Sequence, residues 1–257
     1  MASSTTTSAF SAFRDEPDRG PTRQRLDALW ERHRSRYKRL VTRPVSELSL
    51  RASFHVRPTS VRAYANEVPA GTIPDCASCT NLCCAGIENL VSLRLVDVAT
   101  LIDIGRTDLI SRTKPRFTPR MMERRPALFE LMGSELWRTL PVLRQVGPER
   151  RCAALTDDDR CGIHPHWPTS CDRFPYTMVG RRKVVWGSRC PSKRTDPSFE
   201  DRRQQMFERA IDVYNERIRD AVLLHHARQE LEELGIGAFL IRRNEDPFEP
   251  PPRLPIY

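Results

Sequence analysis

The sequence predicts an α+β fold: small β-hairpins and irregular loops, flanked by helices that include a long C-terminal one. Three observations predict it. Alternating apolar residues flank a glycine in YTMVGRRKVVWG, the pattern of a hairpin turning at Gly180. From DPSFED onward, apolar residues keep helical spacing to about Leu234. All eight cysteines fall between Cys76 and Cys190, where the periodic runs are short.

The elements follow in order. Residues 1–19, opening MASSTTTSAFSAFRDE, read as a disordered tail, with no charged segment leading into an apolar core. Pro21 to Val41 reads as an amphipathic helix. Leu26, Leu29, Trp30, Tyr37, Leu40 and Val41 lie near one face, and Arg23, Arg25, Arg32, Arg34, Arg36, Lys38 and Arg39 cover the rest. Residues 42–70 carry Pro44, Pro58 and Pro69 without periodicity and read as an extended wrapping segment. NLVSLRLVDVATLIDIG predicts a short strand running into a helix that stops near Gly105. PRMMERRPALFELM, residues 119–132, predicts a helix interrupted at Pro126. TLPVLRQV and RCAAL predict two short strands turning at Gly147 and Pro148. Ser198 is the expected cap of the long helix, with Pro197 in its first turn, and Gly235 and Gly237 end it. The chain therefore divides into a tail (1–19), a basic helix with wrapping segment (20–71), a cysteine domain (72–194), a C-terminal helix (195–237) and a proline-rich tail (238–257).

The chain has 257 residues, 29% of them charged, and a mean hydropathy of -0.54. No run reaches the roughly 18 apolar residues of a membrane span, so no membrane partner is expected. With no secretory signal, the expected compartment is the cytoplasm, where thiols stay reduced. The formal charge is +9. The basic N-terminal helix is the one feature that suits nucleic acid or another anionic partner, and a merely solvated basic face explains it as well.

CASCTNLCCAG packs Cys76, Cys79, Cys83 and Cys84 into one short loop. Cys152, Cys161, Cys171 and Cys190 form a looser second group. Soft thiolates in fours are the ligands of tetrahedral zinc and of iron–sulfur clusters, and short spacings let one loop aim several sulfurs at one centre. Adjacent side chains diverge, so Cys83 and Cys84 do not share one ordinary tetrahedral site. Either they serve two nearby centres, or one ligates while the other is buried or reactive. A disulfide framework is disfavoured by compartment and by the strain of a vicinal bridge. Burial as small hydrophobes explains Cys152 or Cys190 alone but not the tight cluster. Asp157, Asp158 and Asp159 read as a solvated hairpin tip, and His164 and His166 as packing residues of a Pro-rich turn rather than ligands. CGIH lacks the second cysteine of a haem-attachment motif.

This layout resembles the bacterial cysteine-cluster (CxxCxxCC) family described as zinc- or iron-chelating domains (the YkgJ type), to which the flagellin lysine-N-methylases are related. The resemblance covers roughly residues 72–194. It rests on the first cluster, on the Asp-opened helix in VSLRLVDVATL, on the Cys161 step, and on Cys171, Asp172, Arg173, Phe174 and Pro175 as a C-x-x-F-P close. It implies metal ligation by Cys76, Cys79, Cys83 and Cys84 from the first motif, by Cys152, Cys161 and Cys171 from the second, and by Cys190 as the trailing cysteine. The chain departs from the pattern in having three residues before the cysteine pair, Trp167 and Asp172 where arginines are usual, and His164 where tyrosine is usual.

The function expected is a metal-binding protein holding a [4Fe–4S] iron–sulfur cluster or zinc, its downstream activity unassigned. One alternative is an Fe–S-dependent enzyme resembling the protein lysine N-methylases, although no glycine-rich nucleotide fingerprint is present. Another is a zinc-stabilised adaptor binding nucleic acid or protein, although aromatic residues are only 7% of the chain. No catalytic residue is assigned from the sequence.

Overall fold

The computed structural model describes residues 19–36, 62–63, 69–75, 83–86, 89–115, 135–179, 183–187, 190 and 193–249. The helix expected over 119–132, most of the wrapping segment, and Cys76 and Cys79 lie outside the described residues.

Helix α1 spans Pro21–His33 and begins with proline at its first position, where the missing N–H costs nothing. Leu26, Leu29 and His33 fall on its buried face. The N-terminus is closed from far along the chain. The Asp103 carboxylate accepts the N–H groups of Thr22 at 2.8 Å and Arg23 at 2.9 Å, placing negative charge at the positive end of the helix dipole. A single 3-10 turn, Arg34–Arg36, follows. Arg25, Arg32, Arg34 and Arg36 stay exposed, so the described outer face is basic as read.

Helix α2, Leu95–Asp103, is buried on nearly every side through Leu95, Val96, Asp97, Val98, Ala99 and Leu101. Gly105 ends it as expected, taking φ 68 so that the Arg106 N–H reaches Leu101 O at 2.8 Å. The strand expected before α2 reduces to one bridge, Ser92 to Val142. Around α2 gather Leu26 and Leu29 of α1 and, from the C-terminal part, Leu223, Leu231 and Ile236. Each fully buried leucine contributes about 1.5–3 kcal/mol before side-chain entropy is charged against it.

The strands are short and mostly antiparallel. The two expected hairpins form. β5 (Gln145–Val146) pairs with β6 (Arg151–Cys152) around Gly147, and β7 (Tyr176–Val179) pairs with β8 (Lys183–Trp186). The other pairings are long-range: β1 (Arg62–Ala63) adds to β8 in parallel, β2 (Thr72–Pro74) pairs with β9 (Lys193–Thr195), and β3 (Ile110–Ser111) with β4 (Val142–Leu143). A five-residue helix α3 (Glu135–Thr139) precedes β4, and a one-turn helix α4 (Thr169–Asp172) precedes β7. The architecture is α+β.

Gly71 closes the β2–β9 pair. It takes φ 71, its N–H donates to Glu200 Oε2 at 2.5 Å, and a Cβ there would overlap the Asp196 carbonyl oxygen. Gly71→Ala is therefore expected to destabilise the fold by about 2 kcal/mol or more, since strain and backbone overlap add. Urea denaturation checks this, and an unchanged midpoint would remove the steric account.

The long helix differs from its sequence reading at both ends. The side-chain cap falls at Asp196, not Ser198, and it serves a 3-10 turn ahead of the helix. Asp196 sits extended before Pro197, and its carboxylate accepts the Ser198 N–H at 2.9 Å, starting a 3-10 turn that leads into α5 (Glu200–His226). The expected run to Leu234 breaks at Ala227, which leaves helical geometry at φ -133, and α6 (Arg228–Glu233) resumes in a new direction. The break turns Leu231 and Ile236 into the first core. Gly235 then ends α6 with φ 76. The N-terminal half of α5 serves a second core, where Met206, Phe207, Ala210 and Ile211 meet Tyr176, Val184 and Trp186 of the β7–β8 hairpin. Residues beyond α6 run back across the fold. Ile241 N–H donates to Thr139 O at 2.9 Å, and the Lys114 backbone exchanges bonds with Pro247 and Glu249. Among the described residues, no helix is long and apolar enough to cross a membrane.

Candidate metal centre

The end of the first cysteine motif is stapled to the β5–β6 hairpin. Cys84 O accepts the Cys152 N–H at 2.7 Å, Gly86 N–H donates to Glu149 O at 3.0 Å, and the Gln145 side-chain amide donates to Gly86 O at 3.0 Å. Gly86 takes φ 91, where a side chain would be strained. Backbone pairing thus places Cys84 beside Cys152. The Cys83 side chain is half-buried and that of Cys84 exposed, so the vicinal pair occupies two different environments.

The next turn links Cys152 to Cys161. Leu155 N–H donates to Cys152 O at 3.1 Å, Leu155 bridges Cys161, and Gly162 N–H returns to Ala154 O at 2.8 Å. The three aspartates form the exposed tip, as expected. Asp158 accepts the Thr156 hydroxyl, and Asp159, at φ 59, pairs with Arg151. Cys152, Cys161 and Cys171 are half-buried thiols not joined in disulfides.

Cys171 lies in α4, whose turn is pinned at both ends. Asp97 of α2 accepts the Thr169 N–H at 2.8 Å and the Thr169 hydroxyl at 3.1 Å. Arg209 of α5 donates to the Asp172 carboxylate at 2.6 Å. The Cys171 thiol is pushed well above its ordinary value, by burial first, then by the proximity of Cys84, Cys152, Asp97 and Cys161. Burial also raises the Cys152 thiol, and Cys161 adds to the effect. Cys84, Cys152 and Cys161, from both cysteine motifs, therefore lie within electrostatic reach of Cys171. That reach is longer than a metal–ligand contact. Among the described residues, no group of three or more His, Cys, Asp or Glu side chains is arranged to hold one ion.

Cys190 lies elsewhere. It is 6% exposed in the second core among Tyr176, Val184, Trp186 and Phe207, and its carbonyl accepts the Trp186 indole N–H at 3.0 Å. His164 is exposed and stands edge-on to Trp167, ring centroids 4.5 Å apart. His166 donates its backbone N–H to Ile163 O at 2.6 Å. Cys76 and Cys79 lie outside the described residues. Asp97 and Arg209 were not singled out from the sequence as site residues. The Asp97 signal was present in the Asp-opened helix, but its partner Thr169 is 72 positions away.

Compared with protein-family models, curated proteins and solved structures, the chain matches none of them.

Proposed function

We propose that the chain is a metal-binding protein whose centre, zinc or an iron–sulfur cluster, is held by the thiolates of Cys84, Cys152, Cys161 and Cys171. One observation carries the reading: the backbone bond from Cys152 N–H to Cys84 O at 2.7 Å and the Leu155–Cys161 bridge bring cysteines from two motifs far apart in sequence together, and Cys84, Cys152 and Cys161 lie near enough to Cys171 to raise its thiol further above its ordinary value. Thiols gathered in this way become favourable ligands when a cation replaces their protons. The donors are all sulfur, which suits zinc and iron–sulfur clusters alike and disfavours hard cations such as magnesium or calcium. The resemblance to the cysteine-cluster family supports the same reading, and by spacing Cys76, Cys79 and Cys83 extend the thiol supply of the first loop. Cys190, packed in the second core, serves as an apolar core residue.

The test is metal and acid-labile sulfide analysis of protein purified without oxygen. Iron with sulfide and broad visible absorption identifies a cluster, and colourless protein with stoichiometric zinc identifies a zinc site. A fully folded, metal-free chain would overturn the proposal.

A further inference from the structure

We infer that Asp97 is the positioning residue of this centre, holding the Cys171 turn against helix α2 so that the thiols of both motifs meet. The inference rests on the reading of Cys171 as a ligand. Asp97 is 3% exposed, in the first turn of α2. Its carboxylate gathers three donors: the Arg94 N–H at 2.8 Å, the Thr169 N–H at 2.8 Å and the Thr169 hydroxyl at 3.1 Å. The first bond closes the start of its own helix. The other two reach across the fold to the first residue of α4, two positions before Cys171.

Asp97 is thus a joint between two elements, which an ordinary helix cap is not. A one-turn helix has too few internal bonds to hold its own position. Among the described residues, Asp97 bonds α4 at its start and Arg209 bonds Asp172 at its end. A buried carboxylate that receives three hydrogen bonds is specific in direction, because each donor loses its partner when the acceptor turns away. Asparagine presents one oxygen where aspartate presents two, and its NH2 group faces donors instead of acceptors. Partners behind metal ligands act in this way, orienting the ligand without touching the metal.

Asp220 supplies the comparison. It is also a buried carboxylate, on α5, facing the start of α2, where it accepts the Leu95 N–H at 3.3 Å and pairs with Arg94 at 3.4 Å. Neither bond reaches α4. Removing either carboxylate weakens the fold, but only Asp97 is connected to Cys171.

The experiment labels full-length, oxygen-free protein with a pulse of N-ethylmaleimide and measures each cysteine by peptide mass spectrometry. Cys190, buried in the other core, reports global unfolding in the same sample. Asp97→Asn is expected to label Cys171 about tenfold faster while leaving Cys190 unchanged, the signature of local opening. The same variant should lose metal to a competing chelator about 10- to 100-fold more readily. Asp220→Asn should produce no selective labelling of Cys171. Thr169→Val, which keeps the backbone bond to Asp97 and removes the hydroxyl, should give a smaller selective acceleration and serves if Asp97→Asn does not fold. Equal acceleration of Cys171 and Cys190, or unchanged Cys171, would overturn the inference. A metal-free wild-type chain would overturn the ligand reading, while the labelling rates would still decide whether Asp97 holds the turn.

Discussion

On the reading of Cys171 as a ligand, Cys171→Ser is expected to cost the chain the proposed metal and a large part of its stability. Its thiol is where the influence of Cys84, Cys152 and Cys161 meets. Serine is nearly the same size, but its hydroxyl is a poor ligand for zinc or iron–sulfur, so the substitution removes a donor without opening a cavity. Structural zinc in small domains contributes apparent binding energies of about 10–16 kcal/mol, and that binding is part of the folding energy where no preformed site exists. Loss of a ligand should exceed the roughly 10- to 100-fold loss in affinity that follows removal of a supporting group. Cys190→Ala is the contrasting variant. It removes one small side chain from the second core, so it should cost about 1 kcal/mol with metal content intact. His166→Ala should leave both unchanged. Metal content per folded chain and urea midpoints for the three variants decide the matter. Metal loss in Cys190→Ala equal to that in Cys171→Ser would restore Cys190 to the ligand set.

The second large effect runs the other way: Lys114→Met is expected to stabilise the protein at neutral pH. Lys114 is fully buried, and its ammonium lies 4.3 Å from the Trp137 ring centroid with no hydrogen-bond partner among the described residues. Its pKa falls to about 7 because burial disfavours the charge and Arg138 repels it. The ordinary value is 10.5, so between about 7 and 10.5 the unfolded chain binds the proton more tightly. Stability from this residue therefore rises with pH across that window and is lowest at about pH 7 and below. The cation–π contact offsets only part of the cost, since such contacts contribute about 0.5–2 kcal/mol. Methionine has similar length and no charge, so a gain of about 1–4 kcal/mol is expected at neutral pH.

Asp220 has the opposite slope. Burial raises its pKa from 3.8 to about 7, with Glu216 adding to the rise, while Arg94, the Leu95 N–H and Arg219 oppose it. Here the folded chain binds the proton more tightly, so stability falls as pH rises from about 4 to about 7. The two residues together place the least favourable combination near neutrality. Urea denaturation at about pH 5, 7 and 9 resolves them. The wild-type rise above pH 7 should disappear in Lys114→Met, and persistence of the full rise would show that Lys114 is not its source.

Local order was the legible part of this chain. The two hairpins, α1, α2 with its Gly105 stop, and the Gly235 end of the C-terminal helices follow from periodicity and turn residues acting over a few positions. Asp196 displaced Ser198 as the cap because an extended residue directly before proline aims its carboxylate at the following N–H groups. The break at Ala227 was not legible, since neither glycine nor proline marks it. Burial of Leu231 and Ile236 in the first core accompanies the bend. The same limit hid Asp103 as the cap of α1 and Asp97 as the anchor of α4, because each acts on a partner more than 70 positions distant.

By itself the sequence determined the chemical stock: eight thiols in two groups, short hairpins to carry them and a long helix to pack behind. Residue identity and spacing act locally, so they specify which donors exist and how tightly one loop can gather them. Tertiary structure decided the grouping. It brought Cys84, Cys152 and Cys161 within electrostatic reach of Cys171, left Cys190 in a separate apolar core, and set Cys83 and Cys84 in different surroundings. The physical reason is that proximity across the chain is created by burial and by a few directional hydrogen bonds, such as Cys152 to Cys84 and Thr169 to Asp97, whose partners carry no mark of one another in the sequence.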